Sequence, residues 1–384
     1  MVFSDQKPSV ELNPRQRVDW LRLIRTENVG PATFRKLINR FGSVGAALDA
    51  LPHLSRKGGR TAPLKAPTIT AIEDEIAAVE KMGGRIIAMG EAGFPDLLQY
   101  ISGAPPMLTI KGGENLNWNR TVGIVGARNA SAAGQRLTKL VSGDLGDAGY
   151  IIVSGLARGV DAAAHSATLA TGTVAVLAGG LDHLYPSENI PLSESIVEQG
   201  GALITEMPLG WQPRSRDFPR RNRLVSGISL GVVVVEAAKR SGSLITARFA
   251  LEQNREVFAI PGSPLDPRSE GANSLIQQGA TLATNANDII DSLSTADPAR
   301  TMLFEHEADG PHYDAEFDYG DAEQEPSDDE RSRLISALSI TPVAVDELIQ
   351  LTQLSVGAVQ TILLEFDIAG RIEWASGQLV SFKE

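Results

Sequence analysis

The chain has 384 residues, of which 42% are hydrophobic and 21% charged, an ordinary globular composition with room for two or three domains. It contains no cysteine, which excludes disulfides, thiolate metal sites and cysteine nucleophiles. The net charge of −12 argues against a nucleic-acid binder at first sight. However, residues 305–330 contain 12 Asp and Glu and no Lys or Arg, so the remainder is close to neutral.

The sequence gives no sign of membrane insertion. No apolar run approaches about 18 residues, and the N-terminus lacks the apolar core of a signal peptide. We therefore expect a cytoplasmic protein without a membrane partner.

Residues 14–75 predict a small helical domain of the SAM or helix-hairpin-helix type. A tight turn at Val29, Gly30 and Pro31 interrupts the helical spacing. Such a turn can present backbone N–H groups to a DNA phosphate, but it is also common punctuation between helices. Residues 51–67, rich in Gly, Pro and basic side chains, predict a loop. Residues 72–82 predict a helix.

Residues 76–296 predict an α/β domain with a doubly wound parallel sheet, an extended Rossmann-like fold. Three apolar, β-branched runs starting near residues 121, 150 and 173 each end in a turn of small residues, and further runs start near residues 202, 231 and 256. A short run from residue 281 would add an edge strand. The carboxyl ends of parallel strands form the ligand crevice, where helix N-termini offer N–H groups to anions. The sequence therefore predicts a phosphate-binding crevice.

Several catalytic and cofactor motifs are not matched. Gly123, Gly126 and Gly134 lack the G-x-G-x-x-G spacing, and no acidic residue ends the second strand, so a dinucleotide is not expected. No Gly-Lys pair occurs, which excludes a P-loop. Asp161 and His165, four residues apart, could touch on a helix, or could be a capping Asp and a structural His. We predict no catalytic residue, cofactor or metal.

The strongest functional signal is the arginine-rich segment 211–227. Five arginines lie between Arg214 and Arg223, with Phe218 among them, and chain connectivity places them at the crevice rim. A charge run is often only a solvated face, but arginines interleaved with an aromatic suit a phosphate backbone and stacked bases. The turn from Ser241 to Ser243 opens a helix and could hold another phosphate.

The C-terminal part predicts an acidic disordered linker, residues 297–330, and a winged helix, residues 331–384. The linker could instead act as an acidic decoy that competes with DNA. The winged helix would have its second helix at 345–351, its third at 356–366 and its wing at 372–382. Its third helix carries only Gln360 for base reading, which favours protein contact. That contact would use Val356, Val359 and Ile362, unless this face is core.

These features together resemble the DprA (Smf) family of bacterial DNA-processing proteins. The matching segments keep the family's order over residues 94–280: GIVGARNAS, SGLARGVDAAAH, AGGLDHLYPSEN, TEMPLG, FPRRNRLVSG, VVEAAKRSGSLITARFALEQNREVFAIPG and GANSLIQQGA. The resemblance implies single-stranded DNA binding without sequence preference, a homodimer, loading of RecA recombinase during natural transformation, and no catalysis.

The resemblance also implies a set of site residues. The expected DNA- and phosphate-binding residues are Gly126, Arg128, Ser154, Gly155, Arg158, Phe218, Arg221, Asn222, Arg223, Ser241, Gly242 and Ser243. Leu275 and Ile276 would lie in a dimer or partner interface, with a core position as the alternative. This chain departs from the family after Asn189, where Ile190 and Pro191 replace a basic residue, so a DNA contact there is in doubt.

Two other classes of function remain open. The fold also resembles nucleoside-phosphate phosphoribohydrolases, although residues 178–182 keep only the double glycine of their signature and lack a nearby catalytic Glu. Alternatively, the protein is an interaction adaptor in which the winged helix is the working part.

Overall fold

The computed structural model describes residues 11–295, 325–375 and 377–383. They form two compact units, one of residues 13–73 with 325–383 and one of residues 11–12 with 74–295. Most of the predicted acidic linker, residues 297–324, lies outside the described residues.

Helices and strands are numbered along the described chain. The helices are α1 Pro14–Ile24, α2 Pro31–Phe41, α3 Val44–Lys57, α4 Ile69–Lys81, α5 Ala132–Asp147, α6 Val160–Ala167, α7 Ile190–Glu198, α8 Asp217–Ile228, α9 Gly242–Glu252, α10 Glu270–Gln277, α11 Ala286–Thr295, α12 Asp328–Ala337, α13 Val345–Thr352 and α14 Val356–Ile368. The strands are β1 Gly84–Ala88, β2 Met107–Gly112, β3 Thr121–Gly126, β4 Ile151–Ser154, β5 Thr173–Val176, β6 Ala202–Thr205, β7 Gly231–Val235, β8 Glu256–Ala259, β9 Thr281–Leu282, β10 Val343–Ala344, β11 Ile372–Ala375 and β12 Leu379–Phe382.

The larger unit contains a doubly wound sheet, as predicted. Among the described residues nine strands pair in the order β1-β2-β6-β5-β4-β3-β7-β8-β9. In this sheet order, all strands from β6 through β3 to β9 run parallel to one another. Every residue of β3, β4, β5, β6 and β7 except Gly126 is buried, which explains their continuous apolar runs. The strand order reverses beside β3 and β7, so a crevice is expected at their carboxyl ends.

One edge of the sheet differs from the prediction. Strand β2, which the sequence analysis did not predict, pairs antiparallel with both β1 and β6. The sheet is therefore mixed at this edge. At the opposite edge, β9 is the short strand that the sequence predicted.

The smaller unit combines the N-terminal helices with the winged helix. The predicted second and third helices and the wing are α13, α14 and the β11–β12 hairpin, to which β10 adds a third strand. Two boundaries differ from the prediction. Helix α3 continues to Lys57, into the predicted loop, and α12 begins at Asp328, where Ser327 and Glu330 form a capping box inside the predicted linker.

No single helix among the described residues is long and apolar enough to cross a membrane. The bent pair α13 and α14 passes the same length and composition test, but both helices contribute to the buried core of the winged helix.

Candidate nucleic-acid interface

The first turn of the crevice lies between β3 and α5. Gly126 is required there because a Cβ would lie 1.9 Å from the Val235 carbonyl oxygen of the neighbouring strand. Beyond it, Arg128 is exposed, and its guanidinium carbon lies 5.3 Å from the centroid of the Phe218 ring. Among the described residues, no carboxylate lies within ion-pair distance of Arg128. Its charge therefore faces solvent beside an aromatic ring.

The N-terminus of α5 is already occupied by the chain's own carboxylate. Ser131 donates to Glu236 from its amide, at 2.8 Å, and from its hydroxyl. The Ser131 hydroxyl in turn accepts from the Gly134 amide at 2.9 Å. A Cβ at Gly134 would lie 2.5 Å from the Glu236 carboxyl carbon. A negative charge thus sits where a Rossmann enzyme binds pyrophosphate, which supports the exclusion of a dinucleotide.

The backbone amides of the second turn, after β4, also donate to a carboxylate of the chain itself. Asp161 accepts from the amides of Gly155, at 3.1 Å, and Ala157, at 3.2 Å. Ser154 is buried and donates to the Ile124 carbonyl oxygen at 2.6 Å. The Ser154 hydroxyl and the Gly155 amide thus already donate to groups of the chain itself, and both residues stay predicted members of the DNA-binding site. Of this turn, only Arg158 is exposed, and it pairs with Glu188 at 2.8 Å.

Asp161 and His165 have the structural roles that the sequence left as one alternative. His165 is fully buried, its Nδ1 lies 2.7 Å from the Thr173 hydroxyl, and burial lowers its pKa to about 3. Burial raises the pKa of Asp161, against the opposing charge of Arg221. Both groups are held by internal hydrogen bonds, so neither is poised as an acid or base for a bound substrate.

The arginine-rich segment does not act as one solvated patch. Arg220 and Arg223 both bind the buried Glu206 carboxylate, at 3.0 Å and 2.5 Å. Arg223 is therefore held by an ion pair through Nη2, while its buried Nη1 has no hydrogen-bond partner among the described residues, and it stays a predicted phosphate-binding residue. Arg214 and Arg216, by contrast, are exposed and have no carboxylate within ion-pair distance among the described residues.

Arg221 lies inside the crevice. It is 5% exposed and packs directly on Gly155, where a Cβ would lie 1.4 Å from its Nη1. The pKa of Arg221 is lowered to about 10, mainly by burial. The negative charge of Asp161 acts in the opposite direction, and the positive charge of Arg128 adds to the lowering. Its buried Nε has no hydrogen-bond partner among the described residues. A buried guanidinium that is only partly satisfied is a strong site for an anion.

An aromatic pair lies next to these two arginines. The rings of Phe218 and Tyr185 meet edge to face, with centroids 5.5 Å apart, and Tyr185 is 48% exposed. Tyr185 lies in a segment that matches the family, but it was not predicted as a site residue, because it comes from the loop after β5, away from Phe218 in the sequence. Ile190, which follows Asn189 where the resemblance implied a basic residue, begins α7 and is exposed.

The remaining predicted residues take different positions. Asn222 donates to the Gly242 carbonyl oxygen at 3.3 Å, which links α8 to the start of α9. Ser241 caps α9, and Ser243 is buried with its amide bonded to the Ser241 hydroxyl at 3.3 Å. Gly242 is exposed at this helix start.

The predicted interface residues on α10 differ from each other. Leu275 is 9% exposed in its own unit, which favours the core position that the sequence left as the alternative. Ile276 is only partly buried and stays a predicted interface residue.

In the smaller unit, the third helix of the winged helix is covered by the N-terminal helices. The Thr33 hydroxyl donates to Asp367 at 2.8 Å, and Arg40 donates to the Thr361 hydroxyl. Asn28, beside the predicted DNA-contacting turn, donates to the Ile368 carbonyl oxygen at 3.2 Å. A Cβ at Gly58 would lie 2.1 Å from the carbonyl oxygen of Glu365, so the helices are in direct contact.

This packing corrects the predicted protein-contact face of α14. Val359 and Ile362 are fully buried in the core of the winged helix, and only Val356 is exposed. The face is therefore core, the alternative that the sequence left open.

Three protein-family models match the chain. They are DNA recombination-mediator protein A over residues 85–294, the DprA-like N-terminal HHH domain over residues 14–78, and the DprA winged helix domain over residues 321–378. The predicted resemblance, the helix-hairpin-helix domain and the winged helix are thereby confirmed.

Individual proteins give the same result. Protein Smf of Escherichia coli is 43% identical over 225 residues, which span 58% of this chain but only 60% of Smf. DNA processing protein DprA of Bacillus subtilis is 42% identical over 57% of this chain and 74% of its own length. The structure of DprA from Streptococcus pneumoniae is 33% identical with a TM-score of 0.57, and covers 73% of this chain and 98% of its own. The structure of DNA processing protein A from Helicobacter pylori is 27% identical with a TM-score of 0.50, and covers 55% of this chain and 95% of its own. With a family model matched over more than half its length, the chain belongs to the DNA recombination-mediator protein A family.

Proposed function

We propose that this protein binds single-stranded DNA at the carboxyl edge of its sheet, through the buried Arg221 and the exposed Arg128. The observation that carries the proposal is the Arg221 guanidinium, which is buried beside Gly155 with an unbonded Nε and a second arginine next to it. A DNA phosphate would supply the missing charge and hydrogen-bond acceptors. The related H. pylori structure is described by its single-stranded DNA binding mode, which supports the same ligand here.

The preference for a single strand follows from the aromatic pair. Phe218 and Tyr185 lie beside Arg128, so a base next to the bound phosphate would meet a ring face or edge. Only an unpaired base can turn out to stack on such a ring, and stacking is indifferent to sequence. The mode of binding is therefore phosphate contact plus stacking, through arginine side chains, since the Ser131 and Gly155 amides are bonded internally.

We further infer a role in DNA processing and recombination, in which the protein acts as a homodimer in the cytoplasm and delivers single strands to RecA. On α10, Ile276 is the predicted interface residue that stays partly accessible. An enzymatic role on nucleoside phosphates is disfavoured, because His165 and Asp161 are held in structural hydrogen bonds. In the double-glycine turn, Asp182 accepts from the Gly210 amide at 2.9 Å.

A salt titration with single- and double-stranded oligonucleotides tests the proposal. The logarithm of the affinity for a single strand should fall with the logarithm of the salt concentration by about 0.7 per phosphate contact. Arg128→Ala should weaken binding by about 1.5–3 kcal/mol, reduce that slope by about one contact, and leave the Tm unchanged.

The matched control is Arg120→Ala. Arg120 also lies over an aromatic ring, 4.5 Å from the centroid of Tyr150, but it precedes β3 at the amino edge of the sheet. This variant should bind like the wild type. An affinity that is insensitive to salt, or a preference for duplex, would contradict the proposal.

A further inference from the structure

The loop between β6 and α8 holds a tryptophan in a fixed position. The Gly210 amide donates to both carboxylate oxygens of Asp182, at 3.0 Å and 2.9 Å. The Trp211 carbonyl oxygen accepts from the Gly180 amide at 2.9 Å. The Trp211 indole Nε1 donates to Asp217 at 3.0 Å, and the same carboxylate oxygen accepts from the Arg214 amide at 2.8 Å. Because Asp217 is 2% exposed, these bonds tie the loop to the rigid start of α8.

An arginine lies over the face of this tryptophan. The Arg214 guanidinium carbon is 4.7 Å from the centroid of the Trp211 ring, and an open recess of about 320 Å³ is lined by Gly210, Trp211, Gln212, Pro213 and Arg214. The ring is half-buried rather than part of the core. An arginine stacked on an indole at a recess suits a flat, electron-rich ligand.

The charge around the recess favours a polyanion. Arg214 and Arg216 are exposed and unpaired with any carboxylate among the described residues, whereas Arg220 and Arg223 on α8 share the single carboxylate of Glu206. Two exposed arginines without a carboxylate partner among the described residues therefore lie at this loop. The two acidic side chains near the recess already accept hydrogen bonds, Asp182 from the Gly210 amide and Asp217 from the Trp211 indole.

We propose that Trp211 and Arg214 form a second base-stacking site for single-stranded DNA, next to the Arg128–Phe218 site. The inference rests on the proposed function and extends it. Asp217, which holds the indole, directly precedes Phe218 in α8, so one helix start positions both aromatic rings. A strand whose phosphate lies at Arg221 and Arg128 would continue over this loop. There a base stacks on the Trp211–Arg214 pair, and the next phosphate meets Arg214 or Arg216.

The test uses the full chain and a fifteen-residue oligothymidylate. Binding should quench the tryptophan fluorescence of the wild type, and the quenching should be clearly reduced in Trp211→Phe, because Trp20 and Trp118 are buried. Trp211→Ala should bind roughly tenfold more weakly, the scale of one lost stacking contact. Trp211→Phe keeps a stacking ring and should lose less than about threefold.

Two arginine variants separate stacking from loop structure. Arg214→Ala leaves the indole and its bond to Asp217 intact, and should also bind roughly tenfold more weakly with an unchanged Tm. The control Arg120→Ala, which removes an arginine from a ring at the opposite sheet edge, should bind like the wild type.

The outcomes distinguish this site from the proposed function itself. If Trp211→Ala or Arg214→Ala binds the oligomer as the wild type does, the second stacking site is rejected while single-strand binding stands. A loss in Trp211→Phe as large as in Trp211→Ala would also reject it, because the bond to Asp217 would then matter rather than the ring. If the wild type binds no single strand, both proposals fall.

Discussion

Because the buried Arg221 packs on Gly155, we expect Gly155→Ala, which adds a single methyl group, to lower both the stability of the protein and its affinity for DNA. An ideal Cβ on Gly155 would lie 1.4 Å from Nη1 of Arg221, 2.3 Å from Cζ and 2.6 Å from Nη2. Gly155 does not have a positive φ, so alanine meets no backbone penalty and the whole effect is the clash with the guanidinium.

The size of the effect follows from what the guanidinium can do. Arg221 is 5% exposed and packed in α8, so it must move out of its buried position or strain the helix. Overpacking of this kind costs about 1–3 kcal/mol of unfolding free energy. Displacing a guanidinium that binds phosphate costs about 1.5–3 kcal/mol of binding, which is roughly 10- to 150-fold in affinity.

The assay combines urea unfolding with fluorescence anisotropy on a labelled single strand. Gly143→Ala is the matched control, because Gly143 lies inside α5 and no atom of the described residues comes within 4 Å of its ideal Cβ. This control should gain about 0.5–1 kcal/mol of stability from its better helix propensity and keep full affinity. If Gly155→Ala matches the wild type in both stability and affinity, the guanidinium does not occupy the place that we describe or does not contribute to binding.

Two further predictions concern stability. Burial lowers the pKa of His165 from 6.5 to about 3, so below pH 6.5 the unfolded chain takes up a proton that the folded chain does not. The unfolding free energy should therefore fall with decreasing pH, and this group should contribute about 2 kcal/mol of that loss at pH 5. His165→Gln should remove this contribution to the pH dependence. If chemical denaturation gives the same pH dependence for the variant and the wild type, the assignment is refuted. A variant that lacks residues 325–384 also lacks Asp367 and Thr361, the hydrogen-bond partners of Thr33 and Arg40. Limited proteolysis should therefore cut residues 13–57 faster than in the full chain, while the sheet unit keeps its normal Tm. Equal protection of those residues would contradict the packing on α14.

Local patterns in the sequence were enough to predict most of the secondary structure. Continuous apolar, β-branched runs predicted the strands, and they occur as β3 to β8. The arginine cluster and Phe218 were placed correctly at the carboxyl edge of the sheet, because right-handed crossovers bring all strand ends of a doubly wound sheet to one side. Strand β2 was missed, since its neighbours β1 and β6 are set by tertiary pairing rather than by its own pattern.

Only the tertiary structure decided which polar groups remain for a ligand. Glu236, 105 residues away in the sequence, binds the start of α5, and Glu206, 17 residues away, pairs with Arg223. Thr33 and Asp367 meet across 334 residues. Periodicity and composition describe the environment of a residue within its own helix or strand. A carboxylate, by contrast, pairs with any donor that the folded chain places within about 3 Å, including donors that are distant in the sequence. For that reason the sequence alone indicated a basic, phosphate-binding edge, and the folded chain singled out Arg128 and Arg221 within it.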